Sequence, residues 1–167
     1  MSTQEKNYIL DSDTAGKKLT RMAYEILENN TGENHLIIVG IKDNGFVVAK
    51  NIAKLLRSIS DKSIELTSVT IDKKTHSKIQ LDDDIDLNDK VVILTDDVSN
   101  SGKTLTYALK PLLNAFPRKI QTLVMVERSH KKFPDHPDYV GVSLSTFLHE
   151  HIFVEVEGEQ ISGAYVV

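Results

Sequence analysis

This sequence predicts an α/β fold with a central, mostly parallel sheet flanked by helices, and three observations carry that prediction. Continuous apolar runs occur at residues 36–39 (LIIV) and 91–94 (VVIL), and residues 120–126 (IQTLVMV) read as another buried strand ending in the apolar run LVMV. Runs without polar alternation suit strands covered on both faces, as in parallel sheets. Stretches with apolar residues at helical spacing separate these runs, and alternating strands and helices build an α/β layer. The third observation is residues 95–104, TDDVSNSGKT. They join a buried run to an amphipathic one through two carboxylates and a small polar loop. In such sheets ligands sit beyond the carboxyl ends of the strands.

The chain has 167 residues, of which 40% are apolar and 26% charged. That is enough to bury a real core. No repeat or linker divides it, so one domain over residues 1–167 is expected. There is no cysteine, which excludes a disulfide framework and a thiolate zinc site. No apolar run approaches membrane-spanning length. The start, MSTQEKNYIL, lacks the basic and apolar regions of a signal peptide. No membrane partner and a cytoplasmic location are therefore expected. The net charge of −4 argues against a strongly electrostatic nucleic-acid binder, apart from a local basic patch.

Taken in order, residues 1–8 are polar and read as loose. Ala15, Leu19, Met22, Ala23, Ile26 and Leu27 share one helical face, with Asp11 or Ser12 as cap and residues 29–32 (NNTG) as the stop. The 36–39 strand follows, then a tight loop at residues 40–45 (GIKDNG). Val48, Ile52, Leu55, Leu56 and Ile59 mark a second amphipathic helix. Residues 64–71 read as a strand, with Ser68 disturbing its pattern. Residues 72–90 show no period and read as a mobile loop. After the 91–94 strand and the central loop, Leu105, Ala108, Leu109, Leu112 and Leu113 mark a third helix, which Pro111 should kink. The 120–126 strand leads into a charged loop over 127–140. β-Rich pieces then lie around Phe147, at 152–156 and at 164–167.

Residues 101–104, SGKT, suggest a nucleoside-triphosphate loop. That loop needs a glycine five positions before the glycine of GKT, and Asp97 stands there. A plain strand-to-helix turn rich in cap residues accounts for Ser101 and Gly102. It does not account for Asp96 and Asp97, which repel each other unless hydroxyls, a cation or solvent compensate. A sugar-phosphate site accounts for both features, because backbone N–H groups and a helix N-terminus attract the phosphate. Other clusters carry less. Asp82, Asp84 and Asp86 open like a calcium loop, but Leu87 and Ile93 stand where its glycine and glutamate belong. His149 and His151 would share one strand face, where surface histidines are the plainer reading. His76, His130 and His136 form no set. Arg118, Lys119, Arg128, Lys131 and Lys132 could form a small basic patch or simply a solvated face.

At TDDVSNSGKT the chain resembles the 5-phosphoribosyl 1-pyrophosphate (PRPP) motif of type I phosphoribosyltransferases. Within them it is most similar to the PyrR type, pyrimidine operon attenuators with uracil phosphoribosyltransferase activity. LTRMAYEILENN, HLIIVGIKDNGFVVAKNIA, DKVVILTDDVSNSGKT, RKIQTLVMVERSHKKFP and HPDYVGVSLST carry the likeness over nearly the whole chain. It implies the type I fold, with a small hood built from the chain termini. It also implies transfer of the 5-phosphoribosyl group from PRPP to a nucleobase, uracil first, with release of pyrophosphate. The other implied reading is a PyrR-like regulator with little or no turnover that senses PRPP or nucleotide and binds RNA.

By the same resemblance, Asp96 and Asp97 are the catalytic pair, holding the ribose hydroxyls. They also meet a magnesium ion indirectly, through ribose or water. Ser99, Asn100, Ser101, Gly102, Lys103 and Thr104 cradle the 5-phosphate. Lys42, Asp43, Asn44 and Gly45 face the pyrophosphate, in a loop that often holds a non-proline cis peptide. Homo-oligomers, dimers or larger, are implied as well. Three segments depart from the PyrR pattern. Asp43-Asn44-Gly45 stands for T-R-G, residues 71–78 (IDKKTHSK) replace a longer loop with a Y-R-D-D-like segment, and Val142 stands for the lysine of YVGK.

Overall fold

The computed structural model describes residues 4–147 and 149–167. The expected loose start therefore lies partly outside it, as do residues 1–3. The element order is β1 (Asn7–Leu10), α1 (Ser12–Asn29), β2 (His35–Ile41), α2 (Asn44–Ile59), β3 (Ser63–Asp72), β4 (Ser77–Leu81), β5 (Val91–Ser99), α3 (Lys103–Leu113), β6 (Lys119–Arg128), β7 (Tyr139–Leu144), β8 (Ile152–Glu157) and β9 (Gln160–Val166).

Six strands form the main sheet in the order β4-β3-β2-β5-β6-β7. All neighbours pair in parallel except the β3–β4 edge pair, which is antiparallel. β1, β9 and β8 form a separate antiparallel sheet drawn from both ends of the chain. This is the expected parallel sheet, with the expected hood. β1 corrects the loose-start reading for Asn7 and Tyr8, which pair with Val166 and Tyr165.

The period of two in the central strands separates the core into two faces. Leu36, Ile38, Val91 and Ile93 pack with α1, α2 and the hood. Ile37, Val39, Val92 and Leu94 pack with α3 and the β3–β4 hairpin. α1 starts where its cap predicts: Asp11 accepts from Thr14 N–H at 2.7 Å, which satisfies one of the free donors of the first turn. That bond holds the Asp11 carboxyl below its ordinary pKa. α3 ends two residues beyond Pro111, so the proline falls in its last turn and not at a mid-helix kink.

Several expectations are overturned. Residues 72–90 are not one irregular loop, because residues 77–81 form β4 against β3. Its signal was short, one alternation at Ile79 and Leu81, beside the Asp72 side chain that turns the chain by accepting from Lys74 N–H and Thr75 N–H. Nor is the acidic run that follows merely solvated. Asp82 accepts from the hydroxyls of Ser68 and Thr70, and Asp83 from that of Thr67. The charged 127–140 loop is also shorter than expected, since β6 runs to Arg128 and β7 begins at Tyr139. Finally, His149 and His151 lie outside β8, and the region of Phe147 is not a strand, with Leu148 outside the described residues.

Gly40 in β2 lets α2 seat against the sheet. A Cβ there would stand 2.5 Å from Phe46 Cα and 2.8 Å from Gly45 O. Both atoms belong to the start of α2, which lines the site described next. Gly40→Ala should therefore cost about 1–3 kcal/mol as overpacking does. A thermal melt should show the midpoint lowered by roughly 2–4 °C for each kcal/mol.

Candidate functional site

The site is built at the carboxyl ends of β2 and β5. β5 stays paired with β6 through Asp96–Val124 and Ser99–Glu127. Both carboxylates therefore belong to the strand itself, and the free loop is only residues 100–102. Asp96 is 1% exposed. Its Oδ1 accepts from Asp97 N–H at 2.9 Å, and Lys73 Nζ stands 3.6 Å away. Gly45 lies against it so closely that a Cβ would meet Asp96 Oδ1 at 2.8 Å. Asp97 Oδ1 accepts from Val98 N–H at 2.8 Å. Burial, and then the neighbouring charge of Asp97, push the Asp96 carboxyl well above the usual carboxylate range, with Lys73 opposing them.

Beyond β5 the chain turns through Gly102 into α3. Gly102 has φ 84°, in the left-handed region that glycine occupies without strain. A small cleft of about 50 Å³ is lined by Asp96, Val98 and residues 99–105. It therefore contains all of the expected phosphate set: Ser99, Asn100, Ser101, Gly102, Lys103 and Thr104. The loop is fastened from behind by the β6–β7 connection. Lys132 N–H and Phe133 N–H both donate to Ser101 O, at 3.0 and 3.1 Å. Lys131 Nζ donates to Ser99 Oγ at 2.7 Å and lies 3.5 Å from Glu127. Burial lowers the Lys131 pKa against the pull of Glu127.

A wider cleft of about 530 Å³ is lined by Lys42, Asp43, Asn44, Ile71, Asp72, Lys73, Lys74 and Asp97. It brings the 42–44 loop and Asp97 together as the sequence implied. Gly45 is the exception: it is buried and acts as the contact between α2 and β5, with its carbonyl accepting from Thr95 Oγ1 at 2.9 Å. The Lys42–Asp43 peptide is cis. The α2 N-terminus opens here with no side-chain cap, and Phe46 N–H in its first turn donates to Asp43 O at 3.1 Å; a helix N-terminus at a cleft favours an anion. Lys42 Nζ is 3.5 Å from Asp82 Oδ2. Burial acts to raise the Asp82 pKa, but Ser68, Thr70 and Lys42 outweigh it and leave the carboxyl below its ordinary value.

Sequence reasoning passed over Lys73 and Lys74 and set His76 aside with the scattered histidines, because they belong to a hairpin it did not see. Lys131 was set aside as part of a basic patch. Of that patch, Arg118 pairs with Glu33 at the opposite end of the sheet from Lys131. The donor set suits a magnesium ion held largely by ligand oxygens. Two adjacent carboxylates are present, and among the described residues no group of three His, Cys, Asp or Glu side chains could hold a metal by itself. No helix among the described residues is long and apolar enough to cross a membrane.

Comparison with known proteins gives a consistent result. Residues 6–160 match the phosphoribosyl transferase domain family. The chain is 37% identical over 161 residues to the "Bifunctional protein PyrR" of Latilactobacillus sakei, covering 89% of this chain and 90% of that protein. It is 33% identical over 168 residues to its namesake in Clostridioides difficile, covering 93% and 95%. Among solved structures, a hypoxanthine-guanine phosphoribosyltransferase from Bacillus anthracis superposes with a TM-score of 0.78 at 16% identity, covering 98% of this chain and 99% of that one. That likeness bears on the fold.

Proposed function

This chain belongs to the phosphoribosyl transferase domain family, and on that premise we propose that it transfers the 5-phosphoribosyl group of PRPP to uracil, releasing pyrophosphate. The observation that carries the reading is Asp96. It is a buried carboxylate beside a second carboxylate, with one backbone N–H and one lysine to offset its charge. Such a group is costly in an empty fold. Ribose hydroxyls donating to Asp96 and Asp97 would relieve that cost, so the cost is a mark of function.

The parts then divide as follows. Residues 99–104 receive the 5-phosphate on backbone N–H groups and on the Ser101 and Thr104 hydroxyls. Asp96 and Asp97 fix the ribose. Lys42, Lys73 and Lys74, with the α2 N-terminus, receive the pyrophosphate. The two lysines of the β3–β4 turn supply positive charge to the cleft they share with Asp43 and Asn44, where the PyrR pattern has an arginine. Bound magnesium would neutralise the departing pyrophosphate, with Asp96 and Asp97 meeting it through ribose or water. The base nitrogen attacks the anomeric carbon as its bond to the pyrophosphate oxygen breaks. The chain's contribution is to align these groups and to stabilise the charge that develops.

The test is pyrophosphate release from PRPP and magnesium with uracil, hypoxanthine, guanine, adenine and xanthine in turn. Uracil should turn over fastest. Turnover with a purine alone would refute the uracil assignment and keep the transferase. The short β3–β4 turn favours a second reading, a sensor that binds PRPP or nucleotide and regulates through RNA. Clear PRPP binding with no turnover on any base would decide for it, and a salt-sensitive gel shift with a pyrimidine-operon leader RNA would complete that case.

A further inference from the structure

We propose that His76, on the β3–β4 turn, is a ligand of the 5-phosphate, so that the hairpin grips the same group that residues 99–104 cradle. The inference rests on the phosphoribosyl reading above. His76 Nε2 lies 3.3 Å from Thr104 Oγ1. Thr104 is in the first turn of α3, and its side chain lines the small phosphate cleft. An anion that accepts from the Thr104 hydroxyl therefore sits next to the imidazole ring.

Three elements set the ring there. The His76 ring packs on Tyr107 at 5.5 Å between centroids, and Tyr107 packs edge-on against Phe133 at 6.2 Å. Tyr107 lies one helical turn beyond Thr104, on the same face of α3. Phe133 belongs to the connection whose N–H groups fasten Ser101. The aromatic row thus ties the hairpin, the helix and the back of the phosphate loop together. Its hairpin end carries the ring nitrogen that meets Thr104 Oγ1, on a residue lining the cleft.

The charges nearby favour an anion. Lys103 on α3 and Lys73 on the hairpin both act on the ring, and Asp72 is the one carboxylate opposing them. Burial comes first among the causes that hold the ring's pKa below the ordinary histidine value. The ring's Nδ1 is buried without a hydrogen-bond partner among the described residues. A plain latch between hairpin and helix would not need two lysines around a partly buried imidazole whose Nδ1 has no partner among the described residues. A phosphate monoester, carrying about −1.5 to −2 charges at pH 7, would offset both lysines and favour the protonated ring.

Two measurements with ribose 5-phosphate test this. By calorimetry, His76→Ala should bind it about tenfold more weakly than the parent, the loss of one charge-assisted hydrogen bond. By nuclear magnetic resonance on the parent, the ring signal of His76, assigned by its absence in His76→Gln, should titrate at higher pH when ribose 5-phosphate is bound. If the parent binds ribose 5-phosphate while His76→Ala matches it and the ring titration does not move, the inference is overturned and the phosphate cradle stands. If His76→Ala does not fold, the ring titration of the parent decides alone. A parent that fails to bind ribose 5-phosphate overturns the proposed function and this inference together.

Discussion

Gly102→Val should lose binding of PRPP and of ribose 5-phosphate by a hundredfold or more, about 2.7 kcal/mol, while its circular dichroism stays that of the parent. The reason is local. Gly102 is the residue through which β5 turns into α3, with φ 84°. A β-branched side chain in that region costs about 1–3 kcal/mol of backbone strain. The added Cβ would also stand 3.3 Å from Asp135 O and 3.5 Å from Phe133 O. The chain can escape only by moving the loop, which is held by the same 132–133 backbone through Ser101 O. Its N–H groups then no longer converge on one anion. The sheet below does not depend on this turn, so the fold should survive. Titration of ribose 5-phosphate by calorimetry is the check, and parental affinity in the variant would place the phosphate elsewhere.

Asp96→Asn should separate stability from function. The buried Asp96 carboxyl has its pKa raised, first by burial and then by Asp97. For an acid with a raised folded pKa, the stabilising contribution is fully present below the unfolded value, near 3.9. It is lost as pH rises through the folded value. The parent should therefore lose stability as pH rises above the ordinary carboxylate range, and Asp96→Asn should lose less. The amide keeps the acceptor that Asp97 N–H requires and removes the charge. Removing a buried charge that is only partly offset should raise stability, and each kcal/mol gained raises the melting point by roughly 2–4 °C. Turnover with PRPP should fall by about a hundredfold or more, as when a group stabilising the transition state is lost. Melting curves at several pH values, with and without PRPP, test both halves. A variant no more stable than the parent at neutral pH would show that Asp96 is already compensated in the empty site.

The sequence alone placed the scaffold and the stretch proposed to hold the ribose phosphate. The unbroken apolar runs of β2, β5 and β6 can be satisfied only by burial on both faces, and parallel strands with crossover helices provide it. The order of the TDDVSNSGKT stretch carries its own geometry, since carboxylates at a strand's end, a glycine turn and a helix start are neighbours along the chain. Asp11 as cap and the α2 face were legible for the same reason.

What the sequence could not show was set by contacts between distant residues. β4 has one short alternation, and only its pairing with β3 makes it a strand. That pairing brings Lys73 to Asp96 and His76 to Thr104. Lys131 looked like one charge in a basic run, and its burial against Ser99 and Glu127 exists only once β6 lies beside β5. Asp96 and Asp97 are the same residue type in adjacent positions, yet one is buried against Gly45 at the edge of the small cleft and the other lines the wider one. Local pattern determined which elements form and where the proposed phosphate loop lies. Tertiary packing decided which charges face that loop, because burial and long-range proximity depend on the whole sheet and are written in no single stretch of chain.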